Sequence, residues 1–463
     1  MKTTSPVTKL EKKHKGIGKK AALVAIETFK PPSSTSEEYL TVLEHHHETL
    51  GHPKDVIEFK RMISRALGFK KHPCVIPFSK MGLPSSLQNL SDNEPKAFSS
   101  SAAYNGCKEL MGTCITGGID LSKTLQPSNV DRALSFVDLF PKMGIQAAES
   151  VILKWSQSTG LDVETLKSKI THVITTNTVN WVIPGLSHMI VDALKLPSTT
   201  SKLDANFMGC HGGGTILRHG FDIVNAGSND EQRVALVISC ETFSCLVDYN
   251  CVELNDLVIQ SLFRDGCGAA IIAPYDLVGG GDKSRICYRS IESGIATIPG
   301  TSGLLGGMSV DCSEMAQSVK KTSPLWVVNL KIPEILKNFF THPDSDGTKL
   351  LNRISSEYDV QTLDIAMHGG GIKIINNMKE VLESLNFPPS VLDDSFNAFV
   401  ENGNNSSASI FYATQNVLNR QEEQETPRKI LTLCFGPGVT VEWSILEPVF
   451  TRVSRGRKRK YMQ

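Results

Sequence analysis

The chain has 463 residues, 48 basic and 48 acidic side chains, zero formal net charge and 40% apolar residues. Balanced charge argues against a nucleic-acid protein, which would carry a broad basic excess, and no run of about 18 uninterrupted apolar residues is available to span a membrane. The basic N-terminus lacks the apolar core and small-residue cleavage site of a secretory signal, so a cytoplasmic α/β protein is expected. The eleven cysteines form no CxxC pair, which leaves zinc-ribbon and thioredoxin-like motifs unsupported and no metal site expected. Most lie inside apolar runs, where a cysteine acts as a small buried hydrophobe, so free thiols in a reducing compartment are expected.

Residues 1–20 hold seven Lys, and the basic tail 451–463 holds six Lys or Arg. Both ends read as solvated segments. VIEFKRMISRALGFKK reads as an amphipathic basic helix, and residues 84–128, rich in Ser, Asn and Gly, read as a surface insertion. Then follow a helix (MGIQAAESVILKWSQSTG), a strand (ITHVITTN), a helix (GLSHMIVDALKL), the turn MGCHGGG, a helix (TILRHGFDIVNAG) and a strand (RVALVISCE). A helix (LNDLVIQSLF) and a strand (GCGAAIIAP) complete this half. Short β-branched runs alternating with helices indicate buried strands in a layered α/β body.

The second half repeats the theme. IPEILKNFF and GTKLLNRISSEY read as helices, LDIAMHGGG as a strand, and IKIINNMKEVLESL and SSASIFYATQNVLNR as helices. RKILTLCFGPG and VTVEWSIL read as paired strands around a Gly-Pro-Gly turn. The expected organisation is an N-terminal half over 21–275 and a C-terminal half over 276–450.

Three segments could carry chemistry. Cys210 lies in NFMGCHGGGT, a glycine-rich turn opening a helix. The positive end of a helix dipole would lower its pKa and make it a nucleophile, although a buried structural cysteine fits the same pattern. His368 ends an apolar strand and precedes three glycines, either a mouth residue or a structural histidine. Asn404, in ENGNNSSAS, either opens a ligand-facing turn or caps a helix. Taken together, a thiol, an imidazole and a carboxamide on such turns suit acyl transfer through a thioester, with the histidine and amide holding an enolate or oxyanion.

GCHGGGTILR, MHGGGIKI, GNNSSASIF and CFGPGVTVE, in this order, resemble the signatures of type III polyketide synthases, the chalcone-synthase-like branch of the thiolase superfamily. Gly436-Pro437-Gly438 favours that branch over the ketoacyl synthase III type, the single-condensation alternative. A catalytically inactive paralogue acting as a binding subunit is the other alternative. The resemblance implies a thiolase-like layered αβαβα fold of two similar halves. It also implies a homodimer using acyl-CoA and malonyl-CoA as substrates, with no cofactor. It makes Cys210 the nucleophile, with His368 and Asn404 assisting malonyl decarboxylation.

By the same resemblance, Phe263 matches the first gatekeeper phenylalanine, and Trp326 stands where counting places the second, in place of the family's Phe. Gly307 matches a cavity-lining glycine. Ile183 matches a methionine that reaches into the partner's cavity, and Ser406 is a further substrate-binding position. Arg61 and Arg65, four apart on one face of the helix similar to the family's tunnel-mouth helix, suit coenzyme A phosphates. Glu58 there replaces a family lysine. The ETFSCLVDYNCVELN segment departs from the plant enzymes, which implies a different cavity.

Overall fold

A computed structural model describes residues 20–31, 33–49, 51–73, 129–178, 182–228, 231–245, 247, 254–278, 285–308 and 325–451. The expected insertion 84–128 and nearly all of both basic ends lie outside the described residues.

The first half opens with β1 (Ala21–Phe29), β2 (Ser33–Thr35), α1 (Ser36–Thr49), α2 (Lys54–Leu67) and β3 (Lys71–Pro73). It continues through α3 (Asn129–Thr159), α4 (Val163–Lys167), β4 (His172–Thr176), α5 (Leu186–Ala193) and β5 (Ser201–Asp204). Then come α6 (Gly212–Asn225), β6 (Ala235–Glu241), α7 (Leu254–Leu262) and β7 (Gly266–Pro274). The second half holds β8 (Arg285–Thr297), β9 (Leu305–Met308), β10 (Leu325–Val328), α8 (Ile332–Thr341) and α9 (Asp346–Glu357). It ends with β11 (Asp364–Met367), α10 (Ile372–Ser384), α11 (Asp393–Asn402), α12 (Ser409–Glu423), β12 (Ile430–Gly436) and β13 (Thr440–Thr451).

Nine strands form one sheet in the order β11-β12-β13-β8-β1-β7-β6-β4-β5. Read outward from the central β1–β8 pair, the two halves have the same plan. β1–β7 and β7–β6 are antiparallel and β6–β4 is parallel; β8–β13 and β13–β12 are antiparallel and β12–β11 is parallel. The two similar halves expected of a thiolase-like fold are therefore visible in strand order alone. Every residue of β6, β7 and β12 is buried, which explains their nearly unbroken apolar sequences.

Burial follows the same plan in three clusters. One joins α3, α5 and the first half of the sheet, and a second joins the facing helices α6 and α12 to strands of both halves. The third joins α8 to α11 with the second half. Helices therefore cover the outside of each half and fill the seam between them.

Two local expectations need correction. The glycines after Cys210 form the first turn of α6 instead of a loop, preceded by a short 3-10 turn over Gly209–His211. Helix α3 starts well before Met143 and runs through Pro141, because Phe136 and Phe140, stacked with ring centroids 4.5 Å apart, are both buried.

Candidate active site

The first turns of α6 and α12 meet at the seam. They can do so because Gly213 has no side chain: a Cβ there would strike the Ser407 carbonyl and the Ile410 side chain. Each helix is entered through a 3-10 turn, Gly209–His211 on one side and Ser406–Ala408 on the other. The Gly-Pro-Gly turn between β12 and β13 seats on the same place, with Pro437 against Gly209.

Here hydrogen bonds link the side chains at 210 and 404 to Gly370, two residues after His368. The Ser406 hydroxyl donates to Cys210 Sγ at 3.4 Å. The Ser406 backbone N–H donates to Asn404 Oδ1 at 2.9 Å, and Asn404 Nδ2 donates to the Gly370 carbonyl at 3.0 Å. A Cβ at Gly370 would lie 3.6 Å from His368 Nε2. His368 follows β11, and its N–H is held by the Leu433 carbonyl at 2.8 Å. All three residues are buried. These bonds also fix the Asn404 amide orientation, leaving one Nδ2 hydrogen beyond the bond to Gly370.

Burial dominates the electrostatics. It pushes the Cys210 thiol up to about 12, despite the Ser406 hydrogen bond, and Glu241 adds to the rise. Burial also lowers the His368 imidazole to about 3, and His368 Nδ1 is buried without a hydrogen-bond partner. The lowered thiol pKa expected from the helix N-terminus is thus reversed, because desolvation outweighs the dipole. Both shifts favour the neutral thiol and the neutral imidazole.

On the other side of Ser406 stands a buried carboxyl that the sequence reading missed. Thr178 Oγ1 lies 3.1 Å from Ser406 Oγ and donates to Glu241 Oε1 at 2.8 Å. The Thr178 N–H donates to Glu241 Oε2 at 2.9 Å, and the Ser407 hydroxyl also donates to Glu241. Burial pushes Glu241 up to about 7, against these hydrogen bonds. The available signal was a carboxylate closing the apolar strand ALVISCE.

The other expected residues divide. Phe263 is brought in: its backbone bridges Asn404 and its ring stacks on Phe243 at 4.3 Å. Gly307 and Trp326 are direct cross-strand partners in the β9–β10 hairpin. That hairpin follows Thr301, whose hydroxyl donates to the Gly438 carbonyl at 2.7 Å. Ile183 is not in this chain's site; it is 84% exposed. Arg61 is bound bidentately by Glu44, with Nε to Oε1 at 2.6 Å and Nη2 to Oε2 at 2.5 Å. Its charge is therefore paired with Glu44, whereas Arg65 is exposed.

Comparison with known families agrees with this geometry. Residues 118–275 match the family model described as chalcone and stilbene synthases, N-terminal domain, and residues 331–450 match the corresponding C-terminal domain. The chain belongs to the chalcone and stilbene synthase family, whose domains have the thiolase-like fold. It is an acyltransferase of the type III polyketide synthase class. Among the described residues, no helix is long and apolar enough to cross a membrane.

Proposed function

We propose that the enzyme condenses an acyl-CoA starter with malonyl-CoA units on Cys210 and releases a cyclised pyrone, resorcinol or related ring. The observation that carries this reading is the hydrogen-bond path from Cys210 through Ser406 and Asn404 to the Gly370 carbonyl, two residues after His368. In acylation, Cys210 sulfur attacks the starter thioester carbon, its proton passes to His368 and then to departing CoA. Malonyl-CoA next loses CO₂ by cleavage of its C–C bond. The electron pair becomes an enolate whose oxygen faces the remaining Asn404 N–H and the His368 ring. Enolate carbon attacks the Cys210-bound acyl carbon, the C–S bond breaks to free the Cys210 thiolate, and the lengthened chain, now a CoA thioester, is transferred back to the sulfur with release of CoA for another round. No cofactor beyond the CoA thioesters is needed.

Phe263 would divide tunnel from cavity, with the Gly307–Trp326 pair and Ser406 lining the cavity, and Arg65 would meet CoA phosphate at the mouth. Homodimerisation is supported by the edge strand β5. Leu203 on it is 43% exposed, and the neighbouring Ile183 and Phe207 are 84% and 60% exposed. A second copy seated there would cover all three and receive Ile183. The cytoplasm is supported by six free cysteines among the described residues.

Replacing Cys210 with Ala tests the reading. The variant should take up no acyl mass from a panel of acyl-CoA starters and form no polyketide, while still releasing CO₂ from malonyl-CoA. Product formation by the variant at the wild-type rate would refute it.

A further inference from the structure

The segment Phe263–Asp265 forms the bed on which Asn404 lies. Phe263 bridges Asn404 through the backbone, the Arg264 N–H donates to the Asn404 carbonyl at 2.9 Å, and Asn405 Nδ2 donates to the Asp265 carbonyl at 2.7 Å. Arg264 itself is 3% exposed. Its stem fills the space beside Gly403, where a Cβ would collide with Arg264 Cγ, and Gly403 takes a φ of +74°. A residue with a side chain could therefore not hold this turn next to Arg264 without displacing it.

The guanidinium reaches away from the reacting groups. Nη1 donates to the Phe263 carbonyl at 2.7 Å and the Gln260 carbonyl at 3.2 Å. The charge lies 5.0 Å from the Phe69 ring centre and 5.2 Å from that of Tyr39, both within cation–π range. Tyr39 donates to the same Gln260 carbonyl at 3.1 Å, and buried Lys60 of α2 donates to the Gln260 side chain. Phe69 packs on Phe399 of α11 with centroids 4.7 Å apart, and the Lys70 N–H donates to the Val400 carbonyl at 2.9 Å. Arg264 thus stands where α1, α2 and the end of α11 converge, one residue behind the turn that presents Asn404.

We propose that Arg264 is a positioning residue that fixes the Asn404 turn against the inner side of α2. It touches no reacting atom; it acts by setting where the Asn404 amide points. The inference rests on the role proposed above for Asn404.

Arg264→Met keeps the aliphatic stem and removes the guanidinium. It should lower kcat for malonyl-CoA decarboxylation about tenfold or more, as small misplacements of a catalytic group do. KM for malonyl-CoA and the rate of Cys210 acylation should stay within about twofold, on the same premise that only the amide's orientation changes. Combined with Asn404→Ala it should add nothing, because both changes remove one function. Undiminished decarboxylation at an unchanged melting temperature would overturn the proposal. So would a parallel fall in acylation, or a multiplicative effect in the double variant. Should Arg264→Met not fold, Tyr39→Leu removes one ring facing the cation and should lower decarboxylation alone; unchanged decarboxylation there overturns the proposal equally. Asn404→Ala measured by itself separates the two claims: wild-type decarboxylation in that variant refutes the role of Asn404, whatever Arg264→Met does.

Discussion

In the first half of the sheet, β4 runs out toward Thr178 and β6 ends in Glu241, whereas the equivalent strands of the second half, β11 and β12, run out into His368 and Gly436. The central helices differ in the same way: α6 is preceded by Cys210 and α12 by Asn404 and Ser406. Equivalent places in a repeated plan thus carry unlike chemistry, a thiol with a carboxyl on one side, an imidazole and an amide on the other. The glycine at 436 is where the second half gives way. A Cβ there would lie 2.5 Å from the His211 ring, so a counterpart of Glu241 has no room and the turn packs directly on the segment that carries Cys210.

The largest effect should come from breaking the second half's side. His368→Ala should lower condensation about a thousandfold, as loss of a general acid–base group does, and it should lower malonyl decarboxylation as well. The contrast with Cys210→Ala, which should keep decarboxylation, is the informative part. If both variants retained decarboxylation equally, the division of labour between the halves would be wrong. Quenched-flow measurement of CO₂ and CoA release reads both steps.

The first half's side is best tested through Glu241. Its folded pKa of about 7 exceeds its ordinary value of 4.5. The protonated carboxyl therefore contributes stability that is fully present below pH 4.5 and is lost as pH rises through 7. From pH 5 to 8 the wild type should lose about 2–3 kcal/mol of unfolding free energy from this group. Glu241→Gln, which cannot ionise, should flatten that slope. Denaturant titrations at the two pH values check it, and equal slopes in the two proteins would remove Glu241 as the titrating group.

Much of this arrangement was legible before any coordinates. Cys210, His368 and Asn404 sit at breaks between apolar runs and polar or glycine-rich turns, and breaks of that kind are where strand ends deliver side chains to a common edge. β6, β7 and β12 stand out as apolar runs because every residue in them is buried. The expectations fail where burial is one-sided or contacts are distant in sequence. β8, RICYRSIESGIAT, mixes charged and apolar residues and is held largely by its long pairing with β13. α11, DDSFNAFVEN, shows little apolar periodicity and is fixed by Phe399 against Phe69, more than 300 residues away. Arg61 illustrates the same limit at the mouth: its spacing from Arg65 was readable, but its capture by Glu44 of the neighbouring helix was not. Arg264 likewise carries little local sign of its role, since the rings that face its charge, Tyr39 and Phe69, lie about 200 residues away in sequence.

The smallest effect probes the hydrogen bond that crosses the seam from Ser406 to the Cys210 sulfur. Ser406 belongs to the second half, yet its hydroxyl favours the Cys210 thiolate, opposing both burial and the Glu241 charge. A hydrogen bond to an ionised group contributes about 1.5–3 kcal/mol, part of which a water entering the Ser406→Ala cavity would restore. The variant should therefore shift the pH dependence of Cys210 alkylation by iodoacetamide upward by about one unit. At a fixed pH near 8, alkylation should slow about tenfold, by the same conversion of one pKa unit. A shift in the opposite direction would mean that the hydroxyl accepts from the thiol and holds it protonated. In that case the second half would supply only the imidazole and the amide, and the asymmetry between the two sides of the sulfur would be sharper than the hydrogen-bond pattern implies.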